Sequence, residues 1–108
     1  MIKKIILAAS LVAFGAVADS GEDKALGLCW EASAIHNWNH HYHIALRKAI
    51  GSKVKERDWF MFGRGEGSGL VYAFKADNET TEETAKRLLI TYCGEYLDLV
   101  PNRPSDLK

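Results

Sequence analysis

Cysteine is nearly absent from this chain, with two in 108 residues, Cys29 and Cys93. Paired Cys or His clusters of a structural zinc module are therefore missing, and no HExxH run is present. Charge of either sign is not in excess: 14 basic residues stand against 14 acidic ones. The basic footprint of a nucleic-acid binder is lacking. Only one apolar run has any length, Ile5 to Val17, and it is too short to span a bilayer comfortably. There is no Ser-His-Asp pattern, and the carboxylates fall in helix caps and connectors instead of pairing in apolar surroundings, which argues against an enzyme. Proline is confined to Pro101 and Pro104, so 101–108 reads as an irregular tail. No internal repeat or low-complexity segment is visible.

What is present begins with a leader. Met1 to Lys4 are short and basic, Ile5 to Val17 apolar, and Ala16-Val17-Ala18 offers a small-x-small cleavage site. Residues 1–18 read as a secretory signal peptide, to be excluded from the fold. Removing Lys3 and Lys4 with it leaves 12 basic residues against 14 acidic, a net charge of about −2. The expected destination is the periplasm or the exterior, with no stable membrane insertion after cleavage. Two cysteines in a small exported chain usually pair. A Cys29–Cys93 bond closes a long loop, worth roughly 4 kcal/mol on the chain-entropy estimate. This oxidising setting, with a partner thiol available, disfavours Cys93 as a nucleophile. Residues 19–100 then form a single small disulfide-tied domain, after a short polar leader at Asp19 to Asp23 that reads as mobile.

The stretch Cys29 to Ile50 holds all four histidines. Leu28, Glu31, Ile35, Trp38, Tyr42, Leu46 and Ala49 recur at helical spacing, predicting one helix over Lys24 to Ile50 that stops at Gly51. His36, His40 and His43 project on one flank of it, and His41 on the other. Neutral imidazoles so placed suit zinc, copper or nickel. Without an acidic or thiolate ligand at set spacing the signal is weak, and three histidines on a helix flank more often form a polar, partly solvated surface.

Trp59-Phe60-Met61-Phe62 and Leu70 to Phe74 are short apolar runs bounded by glycines, which read as strands of a β-hairpin. Gly63-Arg64-Gly65-Glu66-Gly67-Ser68-Gly69 reads as its flexible tip. A phosphate-binding reading fails, because a strand and not a helix is expected after the glycines and no Gly-Lys-Ser/Thr follows. Thr80-Thr81-Glu82-Glu83 fits a capping box at the start of a second helix, with Ala85, Leu88, Leu89, Tyr92 and Tyr96 as its apolar stripe.

The expected fold class is α+β: a long N-terminal helix, a β-hairpin and a second helix, the helices tied by the disulfide. The alternative is a small all-α domain in which Trp59 to Phe74 is a buried loop. The expected function is a non-enzymatic, exported protein-binding protein of inhibitor or immunity type. Its partner is another envelope protein, met through Trp59, Phe60, Phe62, Arg64, Glu66 and Val71 on the free hairpin face and tip. A transition-metal-binding protein using His36, His40 and His43 is the alternative.

Overall fold

The computed structural model describes residues 15–108, with side chains from residue 21 onward. The basic start and most of the apolar run of the expected leader lie outside the described residues. Among the described residues five α-helices follow in order: α1 (Gly15–Asn37), α2 (His41–Ser52), α3 (Arg57–Phe74), α4 (Thr81–Tyr92) and the single turn α5 (Gly94–Leu97). A 3-10 turn, Ser105–Leu107, ends the chain. No strand occurs among the described residues. The α+β expectation is therefore overturned, and the class is all-α. The stretch from Trp59 to Phe74 is neither hairpin nor buried loop but helix α3.

The glycines explain that outcome. Gly63 and Gly67 stand one turn apart on the same face of α3, and both are buried. A Cβ added to Gly63 would collide with the Lys24 backbone, and one on Gly67 would stand 3.0 Å from the Leu28 carbonyl oxygen. From the other side, a Cβ on Gly27 would strike the Phe60 carbonyl oxygen. Small residues let α1 and α3 pack backbone to backbone, and this close contact outweighs the 0.5–1 kcal/mol or so that each helical glycine costs. Short apolar runs are ambiguous between strand and helix on period alone, and here the tertiary contact decides.

The single helix expected over Lys24 to Ile50 is broken between Asn37 and His41. The break is satisfied locally. His40 is the N-cap of α2, its Nδ1 accepting the Tyr42 amide at 3.2 Å. Arg47, buried against Trp30 and Trp38, donates to the Trp38 carbonyl and to Ser33 Oγ. Gly51 is not the stop, since α2 runs on to Ser52 and no glycine has positive φ among the described residues. Nor is Asp23 part of a mobile leader. It is buried, and its carboxylate accepts the amides of Lys55 and Glu56, fixing the connector into α3.

The capping box at α4 is present as expected, with Glu83 N donating to Thr80 Oγ1 and Thr80 N to Glu83 Oε1. Glu79 adds a clamp on Arg87 that holds its carboxyl down to about 2, chiefly through the Arg87 hydrogen bond, then those from the Ala76 amide and Thr84. Helix α4 then buries Ala85, Leu88 and Leu89. The main core joins Leu26, Tyr42, Leu46, Ile50, Leu89, Leu97 and Leu107, and each such leucine contributes about 1.5–3 kcal/mol. Cys29 and Cys93 are bonded inside this core, with Cα atoms 5.9 Å apart. Leu107 is completely buried, so the last turn of the chain is seated in the core. Arg103 steadies it by bonding the Gly94 carbonyl and Asp98.

Candidate functional site

Two places carry chemistry that the core does not absorb. The first is the junction between α1, α2 and the C-terminal turn. The helix break turns α2 so that the ring of His43 faces those of both His36 and His40. Its centre lies 5.0 Å from that of His36 and 5.3 Å from that of His40. His41 stacks on His40 at the exposed edge. His43 is almost fully buried, and its pKa is pushed down to about 4. Desolvation is the main cause, His36, His40 and Arg47 add to it, and Asp106 opposes them. Its ring is therefore neutral at neutral pH.

The hydrogen bonds fix the tautomers. His36 Nδ1 stands 3.1 Å from the Glu82 carbonyl oxygen, which can only accept, so that nitrogen carries the proton. His40 Nδ1 accepts the Tyr42 amide and so bears no proton; its one lone pair is shared at most weakly with His43 Nδ1 at 3.4 Å, a long contact in which the proton, where there is one, belongs to His43. Both assignments leave the lone pair of a neutral ring on Nε2. The Nε2 atoms of His36 and His43 are buried and have no hydrogen-bond partner. The Asp106 carboxylate stands beside His36, with Oδ2 3.4 Å from Nε2. Among the described residues, no group of three His, Cys, Asp or Glu side chains is arranged to hold a metal ion.

The second place is the outer face of α3. Met61, Gly65, Ser68 and Tyr72 follow one another at helical spacing, with Phe62, Gly69 and Ala73 beside them. Met61, Phe62 and Tyr72 are exposed, Tyr72 by 68%. No charge occurs from Gly67 to Phe74. A Cβ at Gly65 or Gly69 would meet nothing within 4 Å. Trp59 lies at the margin, edge-on to Phe62, with the Lys24 ammonium over both rings.

Of the residues expected to touch a partner, Trp59, Phe62 and Glu66 are exposed. Arg64 is held inward by Glu31 at 2.9 Å and by the Trp30 ring. Phe60 packs on the core and Val71 is fully buried, so neither offers a surface. Both lie on the inward side of a helix, where the expected strand would have turned Val71 outward. Sequence reasoning missed Met61, Gly65, Gly69 and Tyr72 as one face, because that face exists only at helical period. It also missed Asp106, which nothing in the tail sequence singles out.

The Cys29–Cys93 bond is compatible with an exported protein. Among the described residues, no helix is long and apolar enough to cross a membrane. No protein-family model, no curated protein and no solved structure matches this chain.

Proposed function

We propose that the chain is a small, non-enzymatic, exported protein-binding protein that holds another envelope protein on the outer face of α3. An inhibitor or immunity-type role belongs to this class. One observation carries the reading. Gly65 and Gly69 keep glycine inside a helix, at about 0.5–1 kcal/mol each, where alanine would meet open space. Around them lie Met61, Phe62 and Tyr72, exposed apolar side chains with little charge between them. Within one copy of the chain this arrangement only costs stability. Against the backbone of a second protein it gives the close approach that Gly63 and Gly67 give to α1.

The test places a photo-crosslinking residue at Tyr72 or at Phe62 in the exported protein, with Lys53 as a control position on another surface. The expected result is one discrete adduct with a different protein, formed from Tyr72 and Phe62 but not from Lys53, and abolished by Met61→Asp. A ladder of unspecific products, an adduct between two copies of the chain, or one unaffected by Met61→Asp would overturn the reading.

A further inference from the structure

We propose that His36 Nε2, His43 Nε2 and the Asp106 carboxylate form a transition-metal site at the junction of α1, α2 and the C-terminal turn, with zinc as the ion their chemistry fits. This site is separate from the α3 face and does not rest on its role.

The Glu82 carbonyl fixes the proton of His36 on Nδ1, and the unprotonated His40 Nδ1, 3.4 Å away, favours that of His43 on Nδ1. Two buried nitrogens then present lone pairs that nothing in the protein answers. The neighbour of one of them is a carboxylate oxygen at 3.4 Å, which is another electron-pair donor. Three such donors call for an electron-pair acceptor, and a proton on His36 Nε2 would answer Asp106 but leave His43 Nε2 unmet. Imidazole and carboxylate together suit zinc, which takes two or three protein ligands of this kind with water completing a tetrahedron.

Two spacings match those of such a site. Bonds of about 2.0–2.1 Å at a tetrahedral angle place two Nε2-bound imidazole centres about 5 Å apart, and adjacent donor atoms about 3.3 Å apart. The His36 and His43 rings are 5.0 Å apart, and His36 Nε2 and Asp106 Oδ2 are 3.4 Å apart. The outer interactions also follow the pattern of metal-bound histidine, in which the second ring nitrogen donates to a carbonyl or another fixed acceptor. His36 does so to the Glu82 carbonyl at 3.1 Å, and His43 makes a weaker, 3.4 Å contact with His40 on the corresponding nitrogen. His40, named from the sequence as a ligand, thus becomes a positioning residue for His43. As they stand, the three donors are not arranged to hold a metal ion. Closure falls to Asp106, whose side chain is half exposed, and to His36, since His43 is fixed by burial. A bound ion would tie the last turn of the chain to the α1–α2 junction.

The experiment is titration of the chelator-treated chain with zinc chloride, by calorimetry. It is repeated on Asp106→Asn, on His36→Gln, and on His41→Gln as an exposed control. The expected result is one zinc per chain at micromolar affinity or tighter, weakened at least about tenfold in Asp106→Asn and His36→Gln and unchanged in His41→Gln. Cobalt(II) in place of zinc should give the intense visible bands of a tetrahedral ion. Should a variant misfold, proton NMR of the unaltered chain serves instead: zinc should move the ring resonances of His36 and His43 and leave that of His41 in place. Binding no tighter than about millimolar, equal binding by all variants, or resonances of His41 alone moving would overturn the site.

Discussion

The two faces of α3 carry the same spacing of glycines and meet opposite surroundings. On the inner face Gly63 and Gly67 are pressed against the backbone of α1, and a methyl group at either would meet main-chain atoms. On the outer face Gly65 and Gly69 meet nothing. Identical local chemistry is therefore explained by packing on one side and by nothing inside the molecule on the other. Glycine in a helix is a cost unless something approaches closely. A face that bears the cost without the approach is the ground for the partner proposed there.

The largest expected effect breaks this contrast from the inside. Gly63→Ala forces a Cβ into the Lys24 backbone, which cannot swing aside as a side chain could. It should destabilise by about 3 kcal/mol or more, read as a lowered midpoint in chemical denaturation. Loss of the α1–α3 contact would also show as reduced near-ultraviolet dichroism from Trp30 and Phe60.

Of similar size is an effect at the other tightly buried place. The folded pKa of His43 is about 4, against an ordinary value of 6.5. The unfolded chain therefore takes up a proton that the native ring, faced by His36, His40, Arg47 and Asp106, refuses. Stability of the metal-free chain should be full above pH 6.5 and fall as pH drops toward 4, by about 3 kcal/mol. Urea midpoints measured across that range check it, and a flat profile would mean that His43 is accessible to solvent.

The outer glycines should behave with the opposite sign. Gly65→Ala and Gly69→Ala should each raise stability by about 0.5–1 kcal/mol while weakening the crosslinked adduct. Equal destabilisation by Gly63→Ala and Gly65→Ala would erase the distinction between the faces. Smallest of all, Tyr72→Asp should change stability by no more than about 0.5 kcal/mol, because its side chain is mostly in water, and yet remove the adduct.

Much of the framework was legible along the chain. Thr80 and Glu83 announce a helix start because both hydrogen bonds of a capping box lie within four residues. Cys29 and Cys93 had only each other to pair with. The stripe Ala85, Leu88, Leu89 follows one period, but Tyr92, expected to extend it, is exposed, and Tyr96 falls in the separate turn α5. The errors arose where local signals conflict. Trp59 to Phe74 is rich in aromatic residues and glycine, both poor helix formers, so isolated preference favoured strand and turn. Between Asn37 and His41 no proline or glycine marks the break, and the contacts of Arg47 with Trp38 and Ser33 that stabilise it come from the far side of the break.

The candidate sites divide in the same way. That three histidines share a helix flank could be read from their spacing. Which of them has a free nitrogen could not, because that depends on the Glu82 carbonyl and on Asp106, 46 and 70 residues from His36.

The sequence by itself determined the features whose physics is local or has no alternative: the disulfide, the capped helix α4 and the absence of charge in excess. Only the tertiary structure decided that the glycine-rich segment is a helix with one face packed and one bare, and that Leu107 brings Asp106 to the histidines. Both depend on atoms far apart in the chain meeting within a few ångströms. No window of neighbouring residues contains that information.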